Sequence, residues 1–91
     1  MAVNVRVPTP LRKLTGEQEV VQVKPGTIAS AIAELEQRFP GISERLVDPA
    51  GQVRLFVNVY VNENDIRFLQ GKDSPIQDGD DVSIVPAIAG G

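Results

Sequence analysis

Histidine and cysteine are both absent from this sequence of 91 residues. Without histidine, the chain lacks the side chain that most often serves as a general base near neutral pH. Without cysteine it has no thiol nucleophile, no disulfide and no redox motif, and the commonest zinc ligands are missing as well. We therefore predict that the chain is not an enzyme by itself and that it binds no metal and no cofactor of its own.

Charge and long apolar runs are also scarce. Nine lysine and arginine residues stand against twelve aspartate and glutamate residues, and the net charge is −3. This balance leaves no basic stripe for a nucleic acid. The apolar runs fall far short of the roughly 20 residues that span a bilayer. Because no charged and then apolar leader opens the sequence, we expect a cytoplasmic protein that does not associate with membranes.

Alternation of apolar and polar residues predicts the strands. Two short runs, Val3–Val7 and Val20–Val23, are close enough to form a hairpin with a long loop. The longest signal covers residues 53–61, where one face carries Val53, Leu55, Val57, Val59 and Val61. A polar turn at 62–65 leads to a short predicted strand, Ile66–Phe68. The last strand, Val82–Val85, is apolar except for Ser83 and so suits the centre of a sheet.

One main helix is expected between the second and third strands. Thr27 is placed to cap it, and Pro40-Gly41 stops it. A second short helical turn is predicted over 42–46. A single helix covers one face of the sheet only. The order therefore predicts an α+β fold of the β-grasp (ubiquitin-like) type, a mixed sheet packed on one helix with its second face partly open. We assign this domain to residues 1–86.

The last five residues form the most specific feature of the sequence, Ala87, Ile88, Ala89, Gly90 and Gly91. If this tail is extended, it reaches about 17 Å beyond Pro86. The missing side chains of Gly-Gly allow an enclosing partner backbone to come close, which suits a carboxylate delivered into a narrow channel. The alternative is a frayed end that happens to be glycine.

Two aromatic residues, Phe56 and Tyr60, lie opposite the valine face of the longest predicted strand. On an open sheet face they would anchor a docking partner, because aromatic side chains are favoured at interfaces. The alternative is packing beneath residues 41–51. Of the two residues, Tyr60 is the better candidate for a contact, since its hydroxyl tolerates water.

Acidic residues are concentrated in the second half of the chain. Residues 46–91 carry seven aspartate and glutamate residues and three lysine and arginine residues, and Asp78-Gly79-Asp80-Asp81 is the densest run. The run lacks the ligand spacing of a calcium loop, and an Asp-Gly turn between strands explains it. Two interpretations of the charge stay open. It forms an acidic surface around the tail that steers the tail to a basic partner, or it is a solvated face.

Four stretches resemble the sulfur-carrier proteins of the MoaD/ThiS type, and most of all their CysO branch, which serves cysteine synthesis. These stretches are GISERLVDP at 41–49, FVNVYVNENDIRF at 56–68, DGDDVSI at 78–84 and VSIVPAIAGG at 82–91. The resemblance implies a flexible tail whose residues 87–90 enter a partner enzyme. It further implies that an E1-like enzyme adenylates Gly91 with ATP, after which a sulfur donor displaces AMP and leaves a thiocarboxylate.

Within the CysO branch, the resemblance implies two further partners. A PLP-dependent cysteine synthase would present an aminoacrylate for the thiocarboxylate to attack. A zinc-dependent peptidase of the JAMM type would then release cysteine from Gly91. ATP, PLP and zinc would all belong to partners. Three alternatives remain: the MoaD-like small subunit of molybdopterin synthase, a ubiquitin-like protein modifier, and a plain β-grasp interaction module with an incidental Gly-Gly.

Overall fold

The computed structural model describes residues 2–54 and 57–86. The two α-helices are α1, Ile28–Arg38, and α2, Ile42–Leu46. Three 3₁₀ helices cover Thr9–Thr15, Ile66–Phe68 and Gly71–Asp73. The strands are β1, Val3–Arg6; β2, Val20–Val23; β3, Gly26–Thr27; β4, Val57–Val61; β5, Asn64–Asp65; β6, Pro75–Ile76; and β7, Asp81–Pro86.

Five of the strands form one mixed sheet in the order β2-β1-β7-β4-β5. Strands β1 and β7 are parallel, whereas β1 pairs antiparallel with β2, and β4 pairs antiparallel with both β7 and β5. This arrangement confirms the predicted hairpin of β1 and β2 and the central position of the last strand. Strands β3 and β6 form a separate two-stranded ribbon.

Helix α1 begins where the sequence predicts. The Thr27 hydroxyl accepts the N–H of Ser30 at 3.2 Å, and the Ser30 hydroxyl accepts the N–H of Thr27 at 2.9 Å. This reciprocal cap satisfies two of the donors that a helix start leaves unpaired. The helix buries Ile28, Ala31 and Leu35 in the core, where they join the inward-facing valines of β1, β2, β4 and β7.

The predicted turn at 42–46 is helix α2, and a carboxylate on α1 fixes it. Glu36 accepts the backbone N–H groups of Ser43 at 3.0 Å and of Gly41 at 3.1 Å. These hydrogen bonds, that of Ser43 first, hold the pKa of the Glu36 carboxyl below its usual value. Ile42 and Leu46 are consequently held in the core, where each is at most 1% exposed.

Two predicted strands differ from the observed ones. Strand β4 begins at Val57, and Val53 instead forms an isolated bridge with Val47; residues 55–56 lie outside the described part of the chain. The predicted strand at 66–68 is wrong, because these residues form a 3₁₀ helix. Asp65 causes this change: its carboxylate accepts the N–H of Arg67 at 2.9 Å and caps the helix.

The stretch between β1 and β2 is more ordered than its polar composition suggests. Residues 9–15 form a 3₁₀ helix with Pro10 in its first turn. Leu11 and Leu14 pack against the core from this helix. Among the described residues, no helix combines the length and apolar character needed to cross a bilayer.

Candidate functional site

The candidate site is the end of β7, where the chain continues into the predicted tail. Pro86 is the last described residue, and it pairs with Val57 of β4. Residues 87–91, including Gly90 and Gly91, lie outside the described part of the chain, as does Phe56. Their expected roles therefore stay predictions, and the structure supplies the surface from which the tail departs.

An apolar groove of about 150 Å³ lies beside Pro86, and we call it the exit groove. The 3₁₀ helix at 9–15 supplies one wall, because the N–H of Leu11 bonds to the carbonyl of Pro8 at 2.9 Å and turns the chain toward β7. One charged residue, Arg45, lies at its edge. The groove is lined by Pro8, Pro10, Leu11, Arg45, Val57, Ile84 and Pro86.

The acidic run lies at the opposite end of β7. This strand extends from Asp81 to Pro86, so its two ends are separated by about 17 Å at roughly 3.4 Å per residue. The Asp78–Asp81 run therefore does not border Pro86, the last described residue before the tail. Whether the acidic residues of this half steer the tail or form a solvated face stays a prediction. Asp80 has a structural role instead: it accepts the N–H of Gln77 at 2.8 Å and an amide N–H of Asn62 at 2.9 Å. These two hydrogen bonds, in that order, lower the pKa of the Asp80 carboxyl.

Three cations lie close to the exit groove. A second depression, of about 140 Å³, lies on the other side of Val57 and is lined by Arg54, Arg67 and Lys72; we call it the basic cleft. Its apolar base is formed by Val57, Val59 and Ile66, and Asp65 lines it as well. Val57 lines both the groove and the cleft, so the two depressions adjoin at this residue.

Asp65 holds Arg67 in position within the basic cleft. The carboxylate accepts Nη2–H of Arg67 at 2.7 Å and Nε–H at 3.2 Å. This bidentate pair lowers the pKa of the Asp65 carboxyl, chiefly through the hydrogen bond from the Arg67 side chain. Asn58 accepts a further bond from Arg67 at 2.9 Å. The guanidinium is therefore oriented before any ligand arrives.

Tyr60 lies on the outward face of the sheet, as the alternation predicts. It is half-buried, while its strand neighbours Val59 and Val61 point into the core. Its cross-strand partner is Ser83, and Val85 lies diagonally on the same face with 42% of its surface exposed. The structure thus gives Tyr60 an accessible apolar neighbour, while its role in docking stays a prediction.

The architecture and the described surface define a small ubiquitin-like β-grasp domain with an apolar and cationic surface where the tail departs. The chain matches the ThiS family over residues 5–91. It is 48% identical to the sulfur carrier protein CysO of Mycobacterium tuberculosis over 93 residues, which cover 100% of both chains. The chain therefore belongs to the ThiS family, and it is a small carrier rather than an enzyme.

Solved structures agree with this assignment. The Amycolatopsis orientalis BexX/CysO complex contains a chain with a TM-score of 0.93 at 43% identity, covering 99% of this chain and 100% of that one. CysO of Mycobacterium tuberculosis superposes with a TM-score of 0.90 at 46% identity, covering 94% and 99%. The predicted β-grasp fold and the resemblance to the CysO branch are thereby confirmed.

The sequence alone did not predict the basic cleft or the exposure of one aromatic residue. Phe68 was predicted to lie in a strand, yet 86% of its surface is exposed, because the 3₁₀ helix buries only Ile66. The three cations of the cleft are the only lysine and arginine residues in 46–91. Their scarcity marked them as candidates, but they are separated along the chain, so the sequence does not show that they line one cleft. Among the described residues, no group of three acidic side chains is arranged to hold a metal.

Proposed function

We propose that this chain carries sulfur as a thiocarboxylate on Gly91 and delivers it to cysteine biosynthesis. The full-length similarity to CysO carries this proposal. The sequence ending in Gly-Gly supports it, since the sulfur is held on the backbone carboxyl and needs no cysteine in the carrier. The exit groove beside Pro86 also supports it, because a partner enzyme that encloses the tail meets an apolar surface there.

The chemistry requires activation because a free carboxylate is a poor electrophile. An E1-like enzyme would join the Gly91 carboxylate to the α-phosphate of ATP and release pyrophosphate. A sulfur donor would then attack the acyl carbon, expel AMP and leave the thiocarboxylate. In these steps the described part of the chain serves as the surface that the activating enzyme recognises, and ATP is bound by that enzyme.

The acceptor of the sulfur would be a PLP-dependent cysteine synthase. The thiocarboxylate sulfur would attack an aminoacrylate held by that enzyme, and an S-to-N acyl shift would leave cysteine joined to Gly91 through an amide. A zinc peptidase of the JAMM type would hydrolyse this amide, release cysteine and restore the carboxylate. We also propose a cytoplasmic location, where ATP and the partner enzymes would be available.

The test is the intact mass of the protein purified gently from its own host. An increase that matches one oxygen replaced by sulfur, located on Gly91, is expected. A cysteine adduct on the same residue would support the cysteine pathway over molybdopterin synthesis. Adducts to lysines of other proteins that survive reduction and boiling would instead favour a protein modifier. An unmodified carboxylate, even after incubation with ATP, sulfide and the host's E1-like enzyme, would refute the sulfur-carrier proposal.

A further inference from the structure

The basic cleft concentrates positive charge in the acidic half of the chain. Residues 46–91 contain three lysine and arginine residues against seven acidic ones, yet all three cations line this one depression. A single carboxylate, Asp65, lines it with them. Local positive charge in an otherwise acidic region attracts an anionic group and orients the approach of a charged partner.

The two arginines of the cleft are held in place by neighbouring atoms. Arg67 is gripped by Asp65 and Asn58, as described above. Arg54 donates its Nε–H to the backbone carbonyl of Glu44 at 2.8 Å. A guanidinium that is already oriented loses less side-chain freedom when a ligand binds.

Lys72 is the cation of the cleft that has no ion-pair partner among the described residues. Among the described residues, no carboxylate lies within 4 Å of its ammonium group. The chain leaves room for it: a methyl group added to Gly51 would lie 3.3 Å from Nζ of Lys72, and Gly51 has a φ of +85°. Glycine is favoured at such a φ. The absence of a side chain at Gly51 also leaves space for the ammonium group of Lys72.

The shape of the cleft favours a carboxylate side chain of a protein over a free phosphate. Its base is apolar, formed by Val57, Val59 and Ile66, and its charged groups lie around that base. An aspartate or glutamate side chain matches both parts, because its methylene groups contact the valines while its oxygens meet Lys72 and the arginines. A free phosphate would leave the apolar base without a partner.

We infer that the basic cleft is the docking site for an acidic segment of the E1-like activating enzyme. This inference rests on the proposed function. Val57 lines both the cleft and the exit groove, so an enzyme that surrounds the tail at Pro86 would lie beside the cleft. The acidic segment binds Lys72 and the arginines and thereby aligns the tail with the channel that receives it.

The experiment measures kcat and KM of the activating enzyme with the carrier as substrate, following ATP-dependent release of pyrophosphate. Lys72→Glu is compared with Lys24→Glu, which makes the same charge change at an exposed lysine. Lys24 follows β2 and lies at the end of the sheet that holds the Asp78–Asp81 run. We expect Lys72→Glu to raise KM about tenfold and to leave kcat unchanged, while Lys24→Glu stays within about twofold of wild type. At roughly 0.5 M salt the difference should shrink, because exposed charges are screened. Lys72→Arg should retain the wild-type KM.

Three results would overturn the docking site. The first is an unchanged KM for Lys72→Glu, and the second is an equal rise in KM for both glutamate variants. The third is binding of inorganic phosphate in the cleft: phosphate would shift the NMR signals of Gly51 and Lys72 and raise the KM of the wild-type carrier over the same concentration range. Thermal unfolding of each variant checks that it remains folded. If wild-type carrier releases no pyrophosphate with the enzyme, the proposed function fails, and the docking site falls with it. If the wild-type carrier releases pyrophosphate but Lys72→Glu causes no selective rise in KM, the docking site fails and the sulfur-carrier proposal stands.

Discussion

The two ends of strand β7 are built differently. At the Asp81 end, backbone and side-chain groups bond to one another across three segments of the chain. The N–H of Asn4 bonds to the carbonyl of Asp80 at 3.0 Å, and that of Asn62 bonds to the carbonyl of Asp81 at 2.8 Å. Ala2 donates its N–H to the Asp78 carboxylate at 2.8 Å. The acidic side chains at this end are thus largely occupied within the protein.

At the Pro86 end, the surface consists of an apolar groove bordered by cations. Arg45 lines the groove and is exposed, and the basic cleft follows beyond Val57. An apolar groove with cations beside it favours the binding of a partner. One end of the strand therefore maintains the fold, while the other presents a surface. Substitutions at the two ends should therefore separate stability from activity.

Deletion of Gly91 is the sharpest test of this separation and should have the largest effect. We expect conversion to the thiocarboxylate to be abolished, because the activated carboxyl group would be displaced by one residue from the site of adenylation. The melting temperature should be essentially that of wild type, since the last residues of a chain generally contribute little to folding. Intact mass spectrometry and calorimetry measure the two quantities. A truncated carrier that still accepts sulfur would contradict the assignment of function to this end.

Tyr60→Ala tests whether the functional surface extends from the exit groove onto the outward sheet face. We expect KM for a partner enzyme to rise about tenfold, the effect of losing one aromatic interface contact of about 1.4 kcal/mol. Tyr60→Phe is the matched control and should remain close to wild type, because it keeps the ring. A folded Tyr60→Ala variant with full transfer activity would restrict the surface to the groove and the cleft.

Asn62→Ala probes the structural end. Asn62 donates to the Asp80 carboxylate at 2.9 Å and accepts the N–H of Asp81 at 2.9 Å, and its own φ is +49°. Losing both bonds and placing alanine at a positive φ should lower the free energy of unfolding by about 1–2 kcal/mol. Asn64→Ala, which removes only a 3.4 Å bond, should cost less than about 0.5 kcal/mol. Urea unfolding measures both. A substantial loss of sulfur transfer in folded Asn62→Ala would contradict the division between the ends.

Much of the fold could be predicted because its information is local. Alternating valines located β1, β2 and most of β4, and Thr27 with Pro40 bounded the main helix. The apolar run ending at Pro86 located the central strand. The candidate tail was likewise visible, since its composition alone distinguishes it from the rest of the chain.

The remaining features depend on contacts between distant residues. Ile66–Phe68 alternates like a strand, and only the cap from Asp65 makes it a 3₁₀ helix. Strands β3 and β6 have two residues each and depend on each other for pairing. The basic cleft joins Arg54 to Lys72 only after the chain folds. The net charge of residues 46–91 therefore suggested acidic residues near the tail. The structure places the Asp78–Asp81 run at the end of β7 opposite to Pro86.

Acid titration of the Asp81 end of β7 is expected to give the smallest effect. The pKa of the Asp80 carboxyl is lowered in the folded protein by its bonds to Gln77 and Asn62. Its contribution to stability is therefore complete above the unfolded value of about 4 and is lost as the pH falls through the lower folded value. Asp80→Asn should lower the free energy of unfolding at neutral pH and reduce its decrease below about pH 5. Asn62→Ala should show a decrease intermediate between those of wild type and Asp80→Asn, because it removes one of the two bonds to Asp80. Unfolding curves from pH 7 to pH 2 measure these slopes. Parallel curves for all three proteins would show that Asp80 does not hold this end together through its charge.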